Sequence, residues 1–263
     1  MKTANLTFIL FAFLINSTFA NVIVYNGLTH VYSGNIGDVI YGEVILVNTS
    51  EVEERVTFTL SDAIFSCTTN RIFSQKRTHS NSSNEWFKGD LLDKVLGPKE
   101  KFVYKFTIEV PADNSLKGSY WSVLMVNVEE PISEKNLSNG VSLNNKVRYG
   151  IALITNINEF EEIDIDFSTI ELIEDNETKA KHLDVKILNN SVFLENIKLA
   201  LEIYNKEGNK VYELKTNRSR TFPGFCKDYK FDISSLAKGD YECILIAESR
   251  EEFLGTNISL TVK

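Results

Sequence analysis

The sequence predicts an all-β protein, two consecutive immunoglobulin-like antiparallel β-sandwich domains after a signal peptide. Three observations carry that expectation. One phrase occurs twice, LKGSYWSVLMV at 116–126 and AKGDYECILIA at 237–247. The phrase ends a longer repeat, in which four segments recur in the same order. Each matched segment has strand character, and no stretch of useful length combines helical periodicity with caps.

The chain opens as a targeting segment. Lys2 supplies a positive start, and LTFILFAFLI (6–15) is an apolar run too short to span a bilayer. Thr18 and Ala20 then stand at the −3 and −1 positions of a cleavage site. Residues 1–20 are therefore expected to be removed, leaving a chain that starts at Asn21. No Cys follows the cleavage site, as a lipid anchor would require. No later run approaches 18 apolar residues, so no transmembrane segment is expected after cleavage. The expected location is outside the cytoplasm, in the periplasm or at the cell surface.

The repeat organises the rest of the chain. VILVNTS (44–50) faces VKILNNS (185–191), and eight residues beyond Asn48 and Asn189 come VTFTL (56–60) and IKLAL (197–201). YKFTI (104–108) faces YKFDI (229–233), and the shared phrase closes each copy. The segments are rich in β-branched and aromatic residues. In KFTIEV (105–110), Phe106, Ile108 and Val110 alternate with polar residues, the period of a half-buried strand. Turns such as NKEGNK (205–210) separate them. In the shared phrase a Tyr follows a Gly at a strand start, as in a tyrosine corner, which assigns Tyr120 and Tyr241 structural roles. The expected divisions are a first domain at 21–156 and a second at 157–263, joined by the acidic NINEFEE (156–162). Val56 and Tyr104 lie 48 residues apart, whereas Ile197 and Tyr229 lie 32 apart. The first copy thus carries an insertion of about sixteen residues within 65–90.

Composition excludes several functions. Thirty-six acidic residues against 28 Lys and Arg give a net charge of −8, which argues against a nucleic-acid binder. His30, His79 and His182 have no metal-ligand spacing, and no nucleophile elbow, phosphate loop or Cys-x-x-Cys occurs. No catalytic residue, metal or cofactor is expected. Of the three cysteines, Cys226 and Cys243 lie in the same half and could bridge, with buried free thiols as the alternative. Asn-x-Ser/Thr triplets, at Asn48 and Asn189 among others, carry no functional weight in so Asn-rich a chain. The insertion holds a basic cluster, Arg71, Lys76, Arg77 and His79, followed by Trp86 and Phe87. Arg71, Arg77 and Trp86 could form a partner-binding tip. Alternatively, the loop is solvated and its Trp folds back over the sandwich edge.

The first half resembles exported bacterial proteins related to periplasmic pilus-assembly chaperones, through GEVILVNTS, SNEWF, YKFTIEVPADNSLKGSYWSVLMV and VRYGIALIT. The second half is similar to their C-terminal module, through FPGFCKDYKFDISSLAKGDYECILIA. The resemblance implies a protein partner, a surface or pilus subunit, held by a donated strand while basic residues in a cleft bind its terminal carboxylate. The candidate strand is 145–154, with Val147, Tyr149, Ile151 and Leu153 on one face and Arg148 as the candidate carboxylate ligand. The family's basic residue in the first strand has no counterpart, since 21–35 contains no Arg or Lys. The alternative, which the missing first-strand cation favours, is that 145–155 is an ordinary edge strand with Arg148 on the solvent face. A surface adhesin or carbohydrate-binding accessory protein, using exposed aromatics such as Trp86, is the alternative function.

Overall fold

A computed structural model describes residues 21–65, 71–129, 146–175 and 177–262. The expected signal peptide, Cys67, Asn136 and Asn176 lie outside the described residues. The first half comprises β1 (Val22–Val24), β2 (Thr29–Gly34), β3 (Val39–Asn48), β4 (Glu54–Phe65), β5 (Arg71–Ser74), β6 (Phe87–Gly89), β7 (Lys94–Leu96), β8 (Lys101–Glu109), β9 (Gly118–Glu129) and β10 (Val147–Ile157). One sheet runs β1-β3-β8-β6; the other runs β2-β10-β9-β4-β5, with β7 also on β4. The second half comprises β11 (Ile165–Glu174), β12 (Lys181–Asn189), β13 (Glu195–Tyr204), β14 (Lys210–Lys215), β15 (Ser219–Thr221), β16 (Cys226–Asp232), β17 (Gly239–Ser249) and β18 (Glu252–Val262). Its sheets are β11-β12-β16 and β14-β13-β17-β18, with β15 also on β13. The molecule is an all-β pair of immunoglobulin-like sandwiches.

Alternation builds each core. Leu183, Val185 and Ile187 of β12 turn inward to meet Ile197, Leu199, Leu201 and Ile203 of β13. Val44 and Leu46 of β3 meet Val56 and Phe58 of β4 in the same way. Each such side chain stabilises the fold by about 1.5–3 kcal/mol.

The repeat extends to single polar atoms. Asn48 and Asn189 are fully buried. Each amide donates to the carbonyl four residues on, Val52 at 2.7 Å and Phe193 at 2.9 Å, and each side-chain oxygen accepts the backbone N–H two residues on. The Asn-x-Ser triplets at these positions therefore plug turns. Six residues further, Glu54 and Glu195 are also buried, held by Asn21 and by Arg250 with Ser249. Tyr120 accepts a bond from the Lys117 N–H at 3.4 Å, and Tyr241 donates to the Ala237 carbonyl at 2.9 Å, so both phenols tie back to the preceding turn.

The insertion falls between β5 and β7, where 19 residues stand against the three between β14 and β15. It is not a free tip. Buried Asp62 accepts from the Thr78 N–H, the Thr78 hydroxyl and the Ser82 hydroxyl. Asn81 and Ser83 bond both backbone groups of Trp121, continuing the sheet where β4 has diverged from β9. His79 stacks on Trp121 at 4.3 Å.

A third apolar cluster joins the two sandwiches: Ala63, Trp121, Val123, Met125 and Ile154 meet Phe222. Phe65 stacks on Phe222 at 4.1 Å. The Ser119 N–H donates to the Val192 carbonyl, and the Ser119 hydroxyl accepts from the Leu194 N–H. The linker is pinned as well: Phe160 packs on Phe193, Arg250 sits over Phe160 and bonds the Glu161 carbonyl, and Lys117 pairs with Glu161.

Candidate partner-binding edge and cleft

The chain's start crosses between sheets. β1 lies antiparallel to β3, and β2 then runs parallel to β10, covering only Ala152–Ile157. Among the described residues nothing pairs with the other edge of Val147–Ile151. The Ala152 N–H donates to the Leu28 carbonyl across the β2 side. Strand alternation therefore points the N–H and C=O of Arg148 and Gly150 out of the same edge, uncovered.

Side chains on this strand divide cleanly. Ile151 and Leu153 are fully buried in the first sandwich's own core. Val147 and Tyr149 pack partly against it, and the Tyr149 hydroxyl donates to the Val22 carbonyl at 2.6 Å. Gly150, Ala152 and Ile154 face the other way, into a cleft of about 760 Å³ between the two halves. Arg148 is exposed and bonds Asn127 at 2.6 Å; it does not line the cleft.

The cleft's cations come from elsewhere. Arg71 of β5, Arg218, Arg220 of β15 and Lys227 of β16 line it, and no acidic residue among the described residues does. Arg218 is neutralised by Glu248. Arg71, Arg220 and Lys227 form no ion pair among the described residues, and Arg220 only approaches the Thr29 hydroxyl at 3.5 Å. A net-negative chain thus concentrates positive charge where its two halves meet, which favours an anion there. Sequence reasoning reached Arg71, by its place in a basic cluster. Arg220 and Lys227 gave no local signal, because the fold alone brings them to β10.

Two other expectations are corrected. Trp86 is 6% exposed and packs against Tyr120 at 4.5 Å, so it belongs to the core and cannot anchor a partner or a sugar. A Trp beside polar residues looks exposed in sequence; the three-residue 3-10 turn Asn84–Trp86 folds it inward. Cys226 and Cys243 do not bridge: Cys226 is disulfide-bonded, whereas Cys243 is a free, buried thiol. Cys226 lines the cleft, on the face of β16 opposite Tyr229 and Phe231, whereas Cys243 sits in the second sandwich's core. Burial pushes the Cys243 thiol up to about 11, with Glu242 adding to it, which leaves it inert. Arg77 stays exposed and bonds the His79 and Ser80 carbonyls within its own loop.

No protein-family model and no curated protein matches the sequence. Solved structures do. The chain is similar to a class 5 fimbriae chaperone, CfaA, at 11% identity and a TM-score of 0.51, covering 90% of this chain and 98% of the other. It is similar to a chain from the chaperone–tip adhesin complex of CFA/I fimbriae biogenesis at 13% identity and a TM-score of 0.50, with the same coverage. Identities this low speak for the fold alone, and the chain has the two-domain immunoglobulin-like fold of fimbrial chaperones.

Proposed function

We propose that this chain is an exported chaperone of the pilus-assembly type, which holds a protein subunit by adding a strand at β10. The observation that carries the reading is the edge at 147–151, unpaired among the described residues, which runs directly into the cationic cleft. A guest strand on that edge is stopped at Ala152, because Leu28 and Thr29 occupy the edge from there on. Its end therefore lies in the cleft that Arg220 and Lys227 line, next to Thr29, which Arg220 approaches. Those cations repel an ammonium and attract a carboxylate, so the guest runs parallel to β10 with its C-terminus in the cleft. The absence of a basic residue in the first strand is then no obstacle, since β5, β15 and β16 supply the charge. Backbone bonds to Arg148 and Gly150 hold the guest strand. The action is binding rather than catalysis, and it takes place in the periplasm.

Arg148→Pro tests this. Pro removes one outward N–H and is tolerated on an edge strand. The mature chain should retain a stoichiometric surface subunit from an envelope extract, and the variant should lose it while its thermal midpoint stays within a few degrees. Equal retention by both proteins sinks the strand-addition reading.

A further inference from the structure

The disulfide of Cys226 has one available partner. The chain holds three cysteines, Cys67, Cys226 and Cys243; Cys243 is a free, buried thiol, and Cys226 is disulfide-bonded. Cys67, outside the described residues, is the one that is left. The described residues next to the two cysteines meet. β4 pairs with β9 as far as Ser61, and its end, Asp62–Phe65, pairs with β5 instead. The β4–β5 hairpin thus runs on past that pairing toward the second half. Phe65 stacks on Phe222 at 4.1 Å and meets Phe225 edge-on at 6.4 Å. Cys67 follows Phe65 by two residues, a reach of at most about 7 Å, and Cys226 directly follows Phe225. FPGF (222–225) fixes the second side: the Phe225 N–H donates to the Phe222 carbonyl at 3.0 Å, across a turn whose Gly224 has a φ of +74°. A disulfide spans Cα atoms about 4.4–6.8 Å apart, which this approach permits.

We propose that Cys67 and Cys226 form a covalent bond between the two halves, and that this bond is a redox-sensitive clamp holding the β4–β5 hairpin against β16. The proposal does not depend on what the cleft binds. Arg71 and Phe73 of the hairpin line the cleft on one side of the bond, and Cys226 and Lys227 line it on the other. β5 is the edge of its sheet and pairs with β4 alone, so the hairpin has little else to hold it. Trp121 donates from its indole N–H to the Ala63 carbonyl at 2.9 Å, and Phe65 keeps its aromatic contacts. Closing the clamp joins the two Sγ atoms. The two thiol protons and two electrons pass to a disulfide oxidant, which leaves as two thiols; a dithiol reductant reverses the step. Cys226 is half-buried in the cleft wall, within reach of such a reagent. The clamp is therefore shut in an oxidising compartment and open in a reducing one.

Two measurements test this. In the first, the mature chain is unfolded with iodoacetamide and no reductant, digested with trypsin and analysed by mass spectrometry. Peptides 56–71 and 221–227 should appear as one disulfide-linked species, with Cys243 alkylated in 239–250. Any other partner of 221–227, a second copy of itself included, or its alkylation overturns the bond. The second measurement is hydrogen exchange on the folded protein. Reduction with dithiothreitol should speed exchange of the β5 amides at least about tenfold and leave those of β8, in the first sandwich's core, unchanged. Cys67→Ser should show the fast β5 exchange without reductant and no further change with it. Equal β5 exchange in the oxidised and reduced protein overturns the clamp. A matching rise across β8 overturns it too, because the bond would then hold the whole fold and not the hairpin.

Discussion

At the scale of single residues, His79 shows how this fold treats a titratable group. Its ring lies against Trp121, its side chain is 9% exposed, and neither ring nitrogen has a hydrogen-bond partner among the described residues. Burial pulls it below its ordinary value of 6.5; Asp62, at 3.7 Å, opposes that pull and Arg77 reinforces it. The folded protein therefore holds His79 neutral, while the unfolded chain takes a proton near pH 6.5. A depressed value means stability that is present at higher pH and lost as pH falls through 6.5 and below. Asp62 and Arg77 are the charged neighbours that bear on the ring. Thermal midpoints of the wild type and His79→Gln, followed from pH 7.5 to 5, should differ least at the acid end. A gap that widens on acidification contradicts a neutral buried imidazole. Sequence alone placed His79 in a basic cluster, from which burial could not be inferred.

At the scale of elements, the insertion between β5 and β7 carries the clearest consequence. It rests on buried Asp62, bonds both backbone groups of Trp121 and sends Trp86 into the core. Trp86→Ala should therefore cost about 3–5 kcal/mol in urea unfolding, the penalty of emptying a buried aromatic site. A change under about 1 kcal/mol would return Trp86 to the surface. Strand identities were legible because the core strands alternate and recur, as KFTIEV and YKFDI do. The pairing of repeats was legible too, since Asn48 and Asn189 sit at matching distances from matching strands. The candidate site was only half legible. The β10 edge announced itself by alternation in VRYGIALI, but Ile151 and Leu153 face the chain's own core. The cleft's cations are drawn from positions some 150 residues apart, and periodicity holds no information about such a meeting. Cysteine pairing escaped for the same reason: Cys226 lines the cleft, whereas Cys243 faces the second sandwich's own core, and the sequence does not show that difference in facing.

At the scale of the whole molecule, the cleft exists only if the two halves are held in one arrangement. Seven linker residues permit hinge motion in principle. The apolar cluster around Trp121 and Phe222, the Ser119 bonds to Val192 and Leu194, and the pinned Phe160 act against it. Gly118 is the position on which this docking depends. Its φ is +95°, a region L side chains rarely adopt, and an added Cβ would lie 2.1 Å from the Val192 carbonyl oxygen. That oxygen is the one Ser119 bonds, so a methyl group must push the halves apart where they touch. The glycine of the repeated phrase thus has a second duty in the first copy, beyond starting β9. In Gly118→Ala each sandwich keeps its own core, because neither core includes residue 118. The expected result is two calorimetric transitions in place of one, with faster cleavage by a glutamate-specific protease at Glu159, Glu161 or Glu162. Cleavage should be suppressed in the wild type, where Lys117 and Arg250 hold Glu161. A single transition at the wild-type temperature, with unchanged cleavage, would mean that the halves are coupled elsewhere. The cleft would then have to tolerate movement at its own base.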